Sequence, residues 1–179
     1  MRPRGRATTK KAGSARAGDA LFPPRRPRVG VVDTTFARVD MAKAVREEFA
    51  RHPGWPVEAV RVTVPGMKDL PVACKRLIED QRCELALALA WVGKEPIDAQ
   101  CAHEANLGLQ WAQLLTNKHI LGVFFHESET RNAREQRRFA LERAREHALN
   151  ALWMLHAPEE LAKRAGTGQR QGGKDVGAL

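Results

Sequence analysis

The sequence has no tyrosine, four tryptophans and six phenylalanines, and only three cysteines, Cys74, Cys83 and Cys101, none in a Cys-x-x-Cys pair. An odd, unpaired cysteine set argues against a disulfide framework and a zinc knuckle, and it fits a reducing compartment. No apolar run approaches the roughly 20 residues needed to span a bilayer, so no membrane partner is expected. The first residues also lack the apolar stretch of a secretory signal, so a cytoplasmic location is expected.

Basic charge is abundant, with a net charge of +9, and its distribution decides what it means. Nine of the 30 Lys and Arg residues, but only one acid, Asp19, lie in residues 1–28, leaving 21 basic against 20 acidic side chains in the rest. A near-neutral body argues against an RNA-binding module and against any specific nucleic-acid partner. Residues 1–27, rich in Arg, Pro, Gly and Ala with few large apolar side chains, read as a disordered basic tail.

Beyond that tail the chain alternates. RVGVVD (28–33), VEAVRVTV (57–64), ELALALAW (84–91) and HILGVFFH (119–126) read as strands. Helices are expected over 39–50, 69–80, about 101–116 and about 131–156, the last with Ala140, Ala144, Ala148, Ala151 and Leu155 on one stripe. Asp69 is read as the N-cap of the second helix, with Pro71 in its first turn. Four strands alternating with helices imply a single α/β domain over 28–157, a four-stranded parallel sheet between two helical layers. Residues 158–179 are expected to form a tail that docks on a neighbouring subunit.

In a parallel sheet the segments after the strands gather along one edge, where ligands bind. Here they are DTTFAR (33–38), PGMKD (65–69), VGKEPID (92–98) and HESE (126–129). They carry the hydroxyls of Thr34 and Thr35, the phenyl of Phe36, the cations Arg38, Lys68 and Lys94, and the imidazole of His126. Gly66 and Gly93 let backbone approach closely. Phe36 is either a core phenyl or a stacking platform, and Trp91 either a second stacking surface or rim packing. His103 and Glu104 make no zinc motif, because Leu107 stands where the second histidine is needed.

The stretches VGVVDTTFARVDMA (29–42), TVPGMKDLPVACKRL (63–77), CAHEANLGLQWAQLLTNKHILGVFFHESE (101–129) and RAGTGQRQG (164–172) resemble the archaeal-type riboflavin synthases. That family is similar to the lumazine synthases in its VPGxxELP-like loop and its three-layer α/β/α sandwich. The resemblance implies a dismutation in which two molecules of 6,7-dimethyl-8-ribityllumazine exchange a four-carbon unit. One riboflavin and one 5-amino-6-ribitylaminouracil result. It also implies a homopentamer with shared sites, no organic cofactor, and help from a divalent cation such as Mg²⁺. Carried onto this chain, Lys68, Lys94 and His126 are the catalytic candidates, with the metal ligands unassigned. Thr34, Thr35, Phe36, Arg38, Pro65, Gly66, Met67, Asp69, Trp91, Gly93, His103, Glu104 and Glu127 are expected to bind substrate. The chain departs from the family at ALAWVGK (88–94), where Ala90 and Val92 replace a glycine and a proline. The alternatives are a lumazine synthase, whose Arg-Gly-x-Thr-x-His-Phe phosphate signature is missing here, and a non-catalytic flavin- or lumazine-binding protein.

Overall fold

In the computed structural model residues 25–170 and 175–179 are described. Most of the expected basic tail, residues 1–24, lies outside the described residues, as do residues 171–174. Four strands, β1 (Arg28–Thr34), β2 (Glu58–Val64), β3 (Leu85–Val92) and β4 (Ile120–His126), pair in parallel in the order β2-β1-β3-β4. Helices α1 (Met41–Ala50) and α4 (Ala133–His156) cover one face, and α2 (Leu70–Glu79) and α3 (Pro96–Thr116) the other. This is the expected α/β/α sandwich.

The alternation of β3 explains how the layers fit. All eight residues of LALALAWV are buried. Leu85, Leu87, Leu89 and Trp91 point into the α1/α4 layer, while Ala86, Ala88, Ala90 and Val92 point at α2 and α3. On the large-residue side α4 answers with Ala140, Ala144, Ala148 and Ala151, so bulky sheet residues meet a small-residue helix face. Each buried Leu contributes about 1.5–3 kcal/mol through the hydrophobic effect. On the other side Gly108 of α3 lies against Pro71 of α2; a Cβ there would sit 2.7 Å from Pro71 Cγ.

Three elements differ from expectation. Helix α3 begins at Pro96, five residues earlier than periodicity indicates, because Asp98 accepts a hydrogen bond from the Glu95 N–H (3.2 Å) and Pro96 supplies a preset helical φ. A fifth helix, α5 (Pro158–Lys163), follows α4. Asp69 is not the side-chain N-cap of α2: it closes a short 3₁₀ turn (Met67–Asp69), and its carboxylate accepts from the Gly66 N–H at 3.2 Å. Just after α5, the Arg164 guanidinium lies over the Trp153 ring of α4, 4.2 Å from the centroid.

His147 of α4 is buried, with Nδ1–H donating to the Arg143 carbonyl at 2.9 Å, and burial holds its pKa below the ordinary 6.5. Its neutral form is the one the fold accepts. Stability is therefore full above the unfolded imidazole value and is lost as pH falls from there through the lowered folded value. A plot of melting temperature against pH should bend downward on the acid side of neutrality, and His147→Gln should flatten that limb.

Candidate functional site

The strand order reverses between β1 and β3, and in open α/β sheets the ligand crevice lies at such a reversal, outside the carboxyl ends of the strands. Phe36, after β1, stands at that edge and is 53% exposed. It is no core phenyl. Gly93, after β3, lies beside it: a Cβ on Gly93 would meet the Asp98 carboxylate and stand 3.6 Å from Phe36 Cζ. The glycine makes room for the Asp98 carboxylate, whereas Phe36 would be left at ordinary contact distance.

The Phe36 loop is tied on two sides. Towards β2, the Thr35 N–H donates to the Val64 carbonyl and its hydroxyl to the Pro65 carbonyl, both at 3.0 Å. Towards β4, Arg38 donates to Glu127 Oε1 (3.3 Å) and to Gln136 Oε1 (3.4 Å). Thr34 is buried at the strand end rather than presented to solvent.

Trp91 corrects the expectation of a second stacking surface. Its side chain is buried in the α1/α4 layer, tilted against Phe125 with ring centroids 4.6 Å apart. The indole N–H instead donates to Glu127 Oε1 at 2.7 Å. Together with Arg38, and with Lys94 near enough to add its charge, that bond keeps the Glu127 carboxyl below the usual carboxylate range. Trp91 thus reaches the site only through Glu127.

On the α2/α3 side Lys68 and Glu104 meet, with Nζ 2.5 Å from Oε2. The Glu104 carboxylate raises the Lys68 pKa, and Lys68 lowers that of Glu104, so both are charged at neutral pH. Gln100 also donates to Glu104, at 3.0 Å. His103 is exposed one residue away. Met67 packs partly against the α2/α3 core. Asp69 already takes the Gly66 N–H, so this amide is not the open donor that the Pro65-Gly66 turn suggests. The amides of Met67 and Lys68 begin the turn and have no partner within it.

His126 ends β4 opposite Val92, and by strand alternation its ring lies on the α2/α3 side, like Phe124. Its backbone N–H donates to Glu129 Oε1 (3.1 Å), and Arg143 pairs with the same carboxylate. Although burial opposes charge on Glu129, those two partners hold its pKa down. Two of the three cysteines are poor nucleophiles: burial pushes the Cys74 thiol up to about 12 and Cys83 to about 11.

The edge therefore gathers Thr35, Phe36, Arg38, Gly93, Lys94, His126 and Glu127 around the crevice, with the Lys68–Glu104 pair on its α3 flank. Sequence reasoning missed Asp33, Arg61, Asp98 and Gln136. Asp33 had a local signal, a lone charge closing an apolar strand; the others are recognised only by what they touch. Among the described residues no three His, Cys, Asp or Glu side chains converge to hold a metal ion. No described helix is long and apolar enough to cross a membrane.

The comparisons agree with this architecture. A relative from Methanothermobacter marburgensis, named riboflavin synthase, is 51% identical over 152 residues, covering 85% of this chain and 99% of its own. One of the same name from Archaeoglobus fulgidus is 42% identical, covering 85% and 98%. Another from Aeropyrum pernix is 44% identical, covering 84% and 97%. The sequence model of a family described as 6,7-dimethyl-8-ribityllumazine synthase matches residues 26–159, from before β1 into α5. The chain, with its reversed parallel sheet and strand-end crevice, belongs to the 6,7-dimethyl-8-ribityllumazine synthase family.

Proposed function

We propose that the protein is a riboflavin synthase, a transferase that moves a four-carbon unit between two molecules of 6,7-dimethyl-8-ribityllumazine. The products, riboflavin and 5-amino-6-ribitylaminouracil, together contain all the atoms of the two substrates. The observation that carries the reading is that relatives matched over 97–99% of their own lengths bear that name.

The residues have a division of labour that suits the chemistry. Two flat heterocycles must be held against each other, and the exposed Phe36 ring offers a stacking face. A proton must leave the 7-methyl group of one ring, and the resulting negative charge spreads over the pyrimidinedione. Lys68 is held protonated by Glu104, so it serves as a cation for that charge rather than as a base. Lys94 is a second cation at the crevice. His126, whose ring has no hydrogen-bond partner among the described residues, is the assigned proton acceptor. Thr35, Arg38, Glu127 and the Pro65–Lys68 turn surround the polar parts of the substrate. Among the described residues no three His, Cys, Asp or Glu side chains converge, so no metal ligand is assigned and Mg²⁺ enters the proposal only as an assay component.

The helix that follows the β3 loop distinguishes this reading from a lumazine synthase. That enzyme needs an anion site for a four-carbon phosphate, whereas here the Asp98 carboxylate stands at the α3 N-terminus beside Gly93. A second negative charge placed there is repelled. Given the pyrimidine and a four-carbon phosphate, the protein is expected to form no 6,7-dimethyl-8-ribityllumazine; formation of that compound would favour the runner-up.

The working unit is proposed to be a cytoplasmic homopentamer with sites shared between neighbours. One crevice half-exposes Phe36 and leaves an open side, too little to enclose two heterocycles. The outer face of α3 also carries Leu107, Trp111, Leu114 and Leu115, each exposed, and Trp111 is 67% exposed. Apolar side chains at this spacing on one helix need a protein partner. Sedimentation should show the pentamer, and Trp111→Glu should shift it towards smaller species; an active monomer would exclude shared sites.

A further inference from the structure

We infer that Arg61 is a positioning residue for the Phe36 loop, its guanidinium joining the two ends of that loop, Asp33 and Asp40, in one clamp. The inference rests on the functional reading above and adds to it a residue remote from the crevice. Asp33 is the penultimate residue of β1, and its side chain is only 7% exposed. Its carboxylate accepts from the Thr63 hydroxyl at 2.7 Å, from Arg61 Nη2 at 2.5 Å and from Arg61 Nε at 3.4 Å. The same guanidinium reaches Asp40, with Nη1 3.2 Å from Oδ2 and Nη2 3.1 Å from Oδ1. Asp40 in turn caps α1, accepting the Lys43 N–H at 2.8 Å.

Residues 34–39 therefore leave the sheet at one carboxylate held by Arg61 and enter a helix at another. The ties at Thr35 and Arg38 pull the loop towards β2 and β4; the clamp sets the distance between its ends. A guanidinium does this because its planar fork serves two carboxylates at once. An ammonium, with three donors on one nitrogen, cannot reproduce the four contacts that Nε, Nη1 and Nη2 make together. Removing the cation altogether leaves Asp33 charged and buried with only the Thr63 hydroxyl to hold it, which endangers folding rather than testing position.

Two variants separate these effects. Arg61→Lys keeps a charge for Asp33, and Asp33→Asn combined with Arg61→Met removes the buried charge together with its partner. In both, amide hydrogen exchange across residues 36–39 is expected to rise about tenfold or more while the β3 core stays protected. The KM for 6,7-dimethyl-8-ribityllumazine should rise about tenfold with kcat little changed, since the ring platform is displaced and the cations are not. Phe36→Ala should add less in the Arg61→Lys background than in wild type. Wild-type exchange in the loop, a wild-type KM, or additive effects with Phe36→Ala would each overturn the clamp. Should the wild-type protein form no riboflavin, the functional reading falls and loop exchange alone decides on Arg61.

Discussion

Phe36→Ala is expected to raise the KM for 6,7-dimethyl-8-ribityllumazine by roughly 10- to 100-fold while hardly moving the melting temperature. The ring is 53% exposed and sits outside both core layers, so its loss opens no internal cavity. A base-sized heterocycle stacked on an aromatic side chain gains about 1–3 kcal/mol, and each 1.4 kcal/mol is about tenfold in affinity. The loop itself should survive, because its ties run through Thr35, Arg38 and Asp40 rather than through the phenyl. Leu at this position should recover only part of the affinity, since it restores apolar area without a π face. Steady-state kinetics beside thermal melts check this. An unchanged KM would mean that the heterocycle lies elsewhere than against Phe36.

Lys68→Met should lower kcat about 100-fold or more, with KM and oligomeric state nearly unchanged, if the ammonium stabilises charge that develops only as the methyl proton leaves. Methionine keeps most of the stem. Glu104 loses its partner but is 39% exposed and remains solvated, so the fold is not the quantity under test. Glu104→Gln separates the roles: it leaves the Lys68 charge in place and removes what orients it, so a smaller fall in kcat is expected. Should Lys68→Met turn over at the wild-type rate, the cation that matters is Lys94 or a donor from a neighbouring chain.

What could be read from the sequence follows from how local each cause is. The alternating Leu and Ala of 85–90 determines both faces of β3 within six residues, and the strand-helix order then leaves few topologies. The loops carrying Phe36, Lys68, Gly93 and His126 followed from that order. The start of α3 did not, because EPIDAQ looks like a polar connector until Asp98 is seen to cap Glu95. Trp91 was ambiguous since a strand-end tryptophan belongs to either face, and only the Glu127 bond and its contact with Phe125 place it inside. Asp69 looked like an N-cap because the local pattern is the same for a carboxylate that closes the preceding turn. Arg61 was the hardest to see. Its partners lie 28 and 21 residues away in the chain, and on an edge strand a lone arginine has the same local pattern as a solvated one.

The most direct test supplies the purified protein with 6,7-dimethyl-8-ribityllumazine and Mg²⁺ alone and follows the appearance of flavin absorbance, then separates the products. The account predicts riboflavin and 5-amino-6-ribitylaminouracil in equal amounts, with no other reactant consumed. A binding protein would leave the lumazine unchanged. Folded, oligomeric protein that produces no flavin would contradict the account.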